Sequence, residues 1–144
     1  MTRQAMQAAH PLEKIFSATH ALAFAVLIGS RASGTARDGS DWDIAVLWQP
    51  GQHANNGSTD AAVSAGLMQL ARHEELRHRL AQCLNVADEK IDLIDLTRAS
   101  LTMKAAVVDE GQTLAVNDAR AWAYFQVAVW RALEDFYWER THAV

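Results

Sequence analysis

Several residue types are scarce in this chain of 144 residues, and each scarcity excludes a class of protein. The single cysteine, Cys83, cannot form a disulfide within the chain, so nothing in the sequence indicates an oxidising compartment. Only two prolines and seven glycines occur, and half of the residues are apolar, which is untypical of disordered or fibrous proteins. We therefore expect a folded protein, and its length fits a single domain over residues 1–144.

A surplus of positive charge and long apolar runs are also missing. Lys and Arg number 13 against 17 Asp and Glu, so the formal net charge of −4 lacks the basic excess that attracts nucleic acid. The apolar run over 21–28 is too short to span a bilayer, and the residues up to His20 lack the order of a secretory signal. We expect a cytoplasmic protein that binds neither a membrane nor, directly, nucleic acid.

The hydrophobic pattern predicts strands that alternate with helices. In chain order it predicts a helix over 11–20, strands over 21–28 and 41–48, a helix from about 59 to 84, a strand over 90–96, a helix over 100–110, an edge strand over 113–116 and a closing helix over 118–140. The first strand is a continuous apolar run, which is typical of a strand covered on both faces. This order predicts an α/β or α+β domain with a mixed sheet.

Two of the predicted helices carry many apolar side chains. One side of the helix over 59–84 is predicted to be buried and consists of Val63, Leu67, Leu70, Leu76, Leu80 and Cys83. The closing helix holds seven of the eleven aromatic residues, and its predicted buried stripe consists of Trp122, Phe125, Val129, Leu133 and Phe136. Tyr124, Trp130 and Trp138 fall largely outside that stripe, either as scattered surface or core residues or as part of a protein interface.

The most informative motif is Gly29-Ser30, followed after ten residues by Asp41-Trp42-Asp43. Glycine has no Cβ, so a phosphate can approach the backbone N–H groups of such a turn, and the Ser30 hydroxyl adds a donor. Asp41 and Asp43 lie two positions apart on a strand and point to one side, with no basic neighbour to pair them. Two Mg²⁺ ions would relieve their repulsion and clamp a triphosphate.

This motif resembles that of the minimal nucleotidyltransferases of the DNA polymerase β-like superfamily. The family pattern is Gly-Ser, ten residues and Asp-x-Asp, which LIGSRASGTARDGSDWDIAVL matches without a gap. The resemblance implies the polymerase β-like fold, a small mixed sheet flanked by helices with a long C-terminal helix, and a nucleotidyl transfer from ATP. Gly29 and Ser30 would bind the nucleotide, and Arg31 would offset triphosphate charge unless it is solvated or paired with Asp38.

A third carboxylate on a later strand completes the site of that family, where it binds the catalytic metal and helps to deprotonate the acceptor hydroxyl. The segment KIDLIDL offers both Asp92 and Asp95. Asp92 lies between two apolar residues early in its strand, as the family's third aspartate does. We therefore predict Asp41, Asp43 and Asp92 as the catalytic and metal-binding set, with Asp95 as the alternative to Asp92.

The resemblance also implies a partner. Minimal nucleotidyltransferases of this size are commonly antitoxins of HEPN/MNT pairs, which transfer AMP from ATP to a tyrosine of the HEPN ribonuclease toxin. We expect this function, with the aromatic closing helix at the toxin interface. The alternatives are an antitoxin that only binds its toxin, which unpaired carboxylates disfavour because they destabilise an unused site, and an aminoglycoside-type transferase, which the short chain disfavours.

His73 and His78 form a weaker motif. The segment HEELRH resembles a zinc-protease motif, but its histidines are five positions apart instead of four. At this spacing they point in directions about 140° apart around a helix, so they cannot share one metal ion. We predict that they lie on a solvated face.

Overall fold

The computed structural model describes residues 3–50 and 59–143, with side chains described from Pro11 onward. Its elements are α1 (Arg3–Ala18), β1 (Leu22–Ile28), α2 (Ser30–Ser33), β2 (Trp42–Trp48), α3 (Thr59–Leu84), β3 (Ile91–Asp95), α4 (Leu101–Glu110), β4 (Gln112–Val116) and α5 (Ala119–His142), with a 3₁₀ turn over Asp88–Lys90 before β3. The predicted alternation of strands and helices is confirmed.

The four strands form one mixed sheet in the order β3-β2-β1-β4. β1 runs antiparallel to both β2 and β4, whereas β2 and β3 are parallel. The C-terminal end of β1 and the N-terminal ends of β2 and β3 therefore meet at the same edge of the sheet. In the register, Asp43 of β2 lies between Ile28 of β1 and Asp92 of β3, so strand pairing alone brings the predicted site residues together.

Helices cover the sheet on both faces. On one face α1 and α3 pack over a core that includes Leu12, Phe16, Leu27, Ile44, Val46 and Leu80. On the other face α4 and α5 pack over a core that includes Phe24, Val26, Ala45, Val107, Phe125 and Val129. All seven residues of β1 are buried, which explains why this strand is a continuous apolar run and not an alternating one.

The first helix begins earlier than the sequence pattern predicts. α1 starts at Arg3, and Pro11 lies inside it rather than at its first turn, so the predicted start was wrong. Proline inside a helix removes one backbone hydrogen bond. Burial of Leu12 and Phe16, one turn apart and both fully inaccessible, offsets that loss.

The predicted burial of α3 was wrong over its first half and at Cys83. Leu76, Leu80 and Ala81 are buried, but Cys83 is exposed, and the residues near the start of the helix leave 56–63% of their surface to solvent: Val63, Leu67, Met68 and Leu70. The cause is a mismatch of lengths. A helix of 26 residues extends for about 39 Å, whereas strands of five to seven residues extend for about 17–23 Å.

α5 also extends beyond the sheet. The side chain of Asp118 caps its N-terminus by accepting a hydrogen bond from the Ala121 N–H, and Phe125 and Val129 are buried. Phe136 is 44% exposed, so its predicted burial was wrong. Tyr124, Trp130 and Trp138 are exposed, which excludes the alternative that they are core residues. In the described parts of the chain, no helix is both long and apolar enough to cross a membrane.

Candidate active site

The turn after β1 is built around Gly29. Its φ of 73° lies in the left-handed region, and the N–H groups of Ala32 and Ser33 both donate to its carbonyl to close the single turn of α2. A Cβ at this position would collide with the Oδ2 atom of Asp43. Glycine is therefore required here for two reasons, namely its backbone conformation and the close approach of a carboxylate.

Ser30, which follows Gly29, is exposed enough to meet a ligand. In the part of the chain that the structure describes, its hydroxyl makes no hydrogen bond, while its carbonyl accepts hydrogen bonds from the N–H groups of Gly34 and Thr35 and from the Ser33 hydroxyl. α2 itself is held from outside, because Gln112 Nε2 of β4 donates to the Ala32 carbonyl at 2.9 Å. The turn that carries Gly29 and Ser30 is thus fixed between β1 and β4.

A tight loop connects α2 to β2. Gly34, with a φ of 81°, ends α2, and a second turn follows in which Ser40 N–H donates to the Arg37 carbonyl and Arg37 N–H donates to Ser40 Oγ. Gly39 takes a φ of 86° within that turn. The loop therefore delivers Asp41 to the first position before β2, at the same edge as Gly29.

The three predicted carboxylates all lie at this edge of the sheet. The pKa of the Asp43 carboxyl is raised above its ordinary value, first because the group is partly buried, and then because the negative charges of Asp92 and Asp41 lie nearby. A hydrogen bond shared with Asp92 acts in the same direction. Asp43 is the innermost of the three, since Asp41 and Asp92 are exposed.

Asp41 has a cationic neighbour that the sequence did not indicate. Lys90 Nζ lies 3.7 Å from Asp41 Oδ1. The interpretation that no base pairs with these carboxylates was therefore wrong for Asp41. The pairing depends on the turn before β3, which lies far from Asp41 in sequence but beside it in space.

This donor set fits a divalent cation of the Mg²⁺ type. Carboxylate oxygens are the ligands that Mg²⁺ prefers. Burial and, after it, the charges of Asp92 and Asp41 raise the pKa of Asp43, and a bound cation would offset both effects. Within residues 3–50 and 59–143, however, no three His, Cys, Asp or Glu side chains are already gathered closely enough to hold a metal ion. Asp41 lies beside Lys90 instead.

Asp95, the alternative third carboxylate, has a different environment. Its Oδ1 accepts hydrogen bonds from the Thr97 N–H at 3.0 Å and the Thr97 hydroxyl at 2.7 Å, and its register partner in β2 is Val46. It therefore stabilises the turn that follows β3. The geometry favours Asp92 as the carboxylate that acts with Asp43.

Arg31 contacts the loop and not Asp38. Its Nε and Nη2 atoms donate to the Ser40 carbonyl at 3.3 and 2.9 Å, and its guanidinium lies over the Trp42 ring, 4.1 Å from the centroid. Two of its three nitrogens thus brace the backbone before Asp41. The third, Nη1, takes no part in these bonds.

Sequence reasoning missed two residues of this region, Lys90 and Gln112. Lys90 precedes Asp92 by two positions, and the strand period of two could have indicated that it points toward the same side. No signal in the sequence identifies Gln112, because its contact with α2 depends on β4 pairing with β1. Its Oε1 atom is buried and has no partner within the described chain.

The prediction that both histidines of α3 lie on a solvated face was wrong for His73. Its Nδ1 accepts from Trp48 Nε1 at 3.1 Å, and its Nε2 lies 2.7 Å from the Leu93 carbonyl. The neutral tautomer with the proton on Nε2 satisfies both contacts. His73 therefore links α3 to β2 and to the outer edge of β3, whereas His78 is exposed and contacts Asp88.

A separate surface cavity of about 360 Å³ lies at the C-terminal end of β3. Its lining residues are Gln69, Leu70, His73, Leu93, Ile94, Asp95, Arg98 and Ala99. None of them belongs to the predicted nucleotide-binding and carboxylate set. The cavity therefore forms no part of the candidate active site.

Comparison with protein families and curated proteins gives two similarities. Residues 11–120 match the family model described as "Polymerase beta, Nucleotidyltransferase". The chain is also 29% identical over 92 residues to the protein adenylyltransferase MntA of Aphanizomenon flos-aquae (strain 2012/KM1/D3). The aligned region covers 62% of this chain and 53% of that protein. The matched region thus spans about half the length of this curated relative.

Two solved structures resemble the chain over most of its length. One is a crystal structure of a toxin–antitoxin with AMP-PNP, with a TM-score of 0.64, 25% identity and 92% coverage of both chains. The other is a tri-AMPylated Shewanella oneidensis HEPN toxin in complex with MNT antitoxin, with a TM-score of 0.60, 22% identity and coverage of 95% of this chain and 92% of that chain. At that lower identity the second similarity shows the fold alone.

Proposed function

Since the chain belongs to the Polymerase beta nucleotidyltransferase family, we propose that it is an antitoxin that transfers AMP from ATP to a tyrosine of a HEPN-family toxin. The observation that carries the proposal is the strand register, which places Asp43 beside both Asp92 and the end of β1 at the Gly29 turn, with Asp41 two positions before Asp43. ATP as the substrate would place the reaction in the cytoplasm.

In this reaction the tyrosine oxygen attacks the α-phosphorus of ATP. A new O–P bond forms, the bond from the α-phosphorus to the bridging oxygen breaks, and pyrophosphate leaves with the electron pair. Asp92, the exposed carboxylate beside Asp43, accepts the proton of the tyrosine hydroxyl. The proton of the hydroxyl thus ends on Asp92, and the electron pair of the broken bond leaves with pyrophosphate.

Asp41, Asp43 and Asp92 are the residues that would hold Mg²⁺, in a two-ion site. When bound, the metal supplies neutralisation of the triphosphate charge. The carboxylates themselves contribute orientation, because Asp43 lies on β2, which is paired with β1 on one side and with β3 on the other. Ser30, through its free hydroxyl, and Arg31, through Nη1, bind the phosphates from the α2 side.

The toxin as acceptor is supported by the comparisons and by the surface of α5. One relative is a protein adenylyltransferase, and a solved structure that is 25% identical is that of a toxin–antitoxin with AMP-PNP. The exposed aromatic side chains of α5, Tyr124, Trp130, Tyr137 and Trp138, are of the type enriched at protein interfaces. We assign this face of α5 to toxin binding.

The test is transfer of label from α-³²P-ATP to the co-expressed HEPN partner in the presence of Mg²⁺. Asp43→Asn and Asp92→Asn should abolish labelling, because each removes a proposed metal ligand. Asp95→Asn is the matched control, since it makes the same change three positions from Asp92 on a carboxylate bonded to Thr97. This control should label the partner as the wild type does.

Other outcomes would contradict parts of the proposal. Labelling by Asp43→Asn would overturn the carboxylate assignment, and loss of labelling in Asp95→Asn with retention in Asp92→Asn would exchange the two aspartates. Neutralisation of the toxin by unlabelled wild-type complex would identify an antitoxin that only binds. Turnover with an aminoglycoside and no label on protein would identify a small-molecule transferase.

A further inference from the structure

Lys90 occupies an unusual position between two of the elements that form the site. Its Nζ donates to the Gly39 carbonyl at 3.0 Å and lies 3.7 Å from Asp41 Oδ1. The residue ends the 3₁₀ turn before β3, where its own N–H donates to the Ala87 carbonyl at 3.0 Å. Lys90 thus connects the strand of Asp92 to the loop that carries Asp41.

The loop itself is held by few other contacts. Its internal hydrogen bonds join Arg37 to Ser40, and Arg31 holds the Ser40 carbonyl from α2. Two consecutive carbonyls, those of Gly39 and Ser40, are therefore each bonded by a cation that comes from a different element. Within the described residues, the hydrogen bond from Lys90 to Gly39 joins this loop to the β3 side of the site.

We propose that Lys90 is a positioning residue for nucleotidyl transfer, which holds the Gly39–Asp41 segment so that Asp41 can join Asp43 and Asp92 around a divalent cation. The proposal rests on the proposed function and deepens it. Lys90 acts here through Gly39 and Asp41, and it contacts neither the substrate nor the reacting atoms.

Two effects of the Lys90 charge oppose each other, and their relative size decides the outcome. A fixed cation near Asp41 repels a metal ion, which weakens metal binding. The side chains of Lys90 and Asp41 are 47% and 58% exposed, however, so water screens this repulsion strongly. The bond to the Gly39 carbonyl is a charge-assisted hydrogen bond that orders the loop before the metal arrives. We therefore expect the ordering effect to dominate.

The test compares Lys90→Met with Lys90→Arg and with Lys14→Met. Lys14 is an exposed lysine of α1, so its substitution makes the same change of charge away from the site. The first measurement is hydrogen–deuterium exchange of the segment 34–42 in the metal-free protein. Exchange should be faster in Lys90→Met than in Lys14→Met, and Lys90→Arg should restore slow exchange because its guanidinium can donate to the same carbonyl.

The second measurement is Mg²⁺ binding by isothermal titration calorimetry. Lys90→Met should weaken Mg²⁺ binding by roughly five- to tenfold, the effect of losing one charge-assisted hydrogen bond that orders a ligand. Lys90→Arg and Lys14→Met should bind as the wild type does. In labelling assays the Lys90→Met defect should diminish as Mg²⁺ is raised, with the KM for ATP unchanged at saturating Mg²⁺.

A change in Mg²⁺ affinity of the opposite sign would overturn the inference. If Lys90→Met binds Mg²⁺ more tightly than Lys14→Met, Lys90 is only a competing cation, and if the KM for ATP rises at saturating Mg²⁺, it is a phosphate ligand. Unchanged exchange of the segment 34–42 would show that Lys90 does not hold the loop. Each of these results leaves the proposed function intact. Full labelling by Asp43→Asn, in contrast, would contradict the proposed function. In that case the exchange experiment would still decide whether Lys90 holds the loop.

Discussion

Gly29 and Asp43 share one small volume at the edge of the sheet. A Cβ on Gly29 would collide with Asp43 Oδ2, so the phosphate-binding turn and the central carboxylate can adjoin only if one residue has no side chain. Antiparallel pairing of β1 and β2 brings them together, since Asp43 is opposite Ile28 in the register. The Gly-Ser part and the Asp-x-Asp part of the motif therefore lie against each other in the folded chain.

Gly29→Ala should abolish adenylyl transfer and destabilise the fold. The backbone of Gly29, with φ 73° and ψ −156°, is in a region almost confined to glycine that costs a residue with a Cβ about 1–3 kcal/mol, and the collision with Asp43 adds to that loss. Gly39→Ala is the matched control, because Gly39 also has a positive φ but no atom within 4 Å of an added Cβ. Urea unfolding should show the larger loss in Gly29→Ala, and labelling should disappear in that variant. Equal stabilities and activities would contradict the role assigned to this contact.

Asp43→Asn should stabilise the metal-free protein while it abolishes activity. Burial and the charges of Asp92 and Asp41 raise the pKa of Asp43 from its ordinary value of 3.8. At a pH between the ordinary pKa and the raised pKa, the folded state therefore binds more protons than the unfolded state. Stability that depends on this group therefore falls as the pH rises above about 4. In EDTA, the Tm of the variant minus that of the wild type should be larger at pH 7 than at pH 4.

Magnesium provides the complementary measurement. Added Mg²⁺ should raise the Tm of the wild type at pH 7, because a ligand that binds only the folded state stabilises it. The same addition should have little effect on Asp43→Asn. A Tm difference that does not vary with pH, together with an equal response of both proteins to Mg²⁺, would argue against a strained carboxylate cluster.

The features that could be predicted from the sequence are those that depend on neighbouring residues. Gly29, Asp41 and Asp43 belong to one strand–turn–strand unit, and local periodicity was sufficient to place them. The pairing of Asp92 with Asp43 requires the strand order, which the resemblance to a known family supplied. Lys90 and Gly39 are 51 positions apart, and no local pattern indicates such a contact.

The errors in burial have the same origin. Leu67 and Leu70 follow the spacing of a buried stripe, but periodicity identifies a face of a helix and not what lies beneath that face. The N-terminal half of α3 extends past the end of the sheet. These side chains therefore have no sheet beneath them and are exposed. Similarly, His73 has the sequence context of a polar surface, yet the buried Trp48 provides it with a donor.

His73→Ala should destabilise the protein by about 1–3 kcal/mol, because it leaves the Trp48 Nε1–H and the Leu93 carbonyl without their partner in a partly buried region. His73→Gln should recover part of this loss, since an amide can both accept and donate. His78→Ala is the matched control and should cost less than about 1 kcal/mol, because its contact with Asp88 is exposed. Chemical unfolding monitored by tryptophan fluorescence measures the stability of all three variants. Equally small losses of stability in His73→Ala and His78→Ala would contradict a structural role for His73.

The exposed aromatic face of α5 should bind the toxin, and the exposed apolar face of α3 provides its control. Trp130 and Trp138 are eight positions apart and lie on one side of α5, away from the buried Phe125 and Val129, and they are 50% and 62% exposed. Replacing both tryptophans by glutamine removes the apolar surface and keeps a side chain that favours helix. The folded chain should change in stability by no more than about 0.5 kcal/mol per site, as for other exposed positions.

Toxin affinity should fall by roughly 30-fold or more in this double variant, which is the effect of losing an aromatic interface anchor. The variant should also lose labelling of the toxin while it retains Mg²⁺ binding, because neither tryptophan is among the proposed metal ligands. Replacing Leu67 and Leu70 by glutamine makes a comparable change on α3, where both side chains are more than half exposed. If the α3 variant loses affinity and the α5 variant does not, the toxin binds the opposite face of the sheet, since α3 and α5 cover different faces.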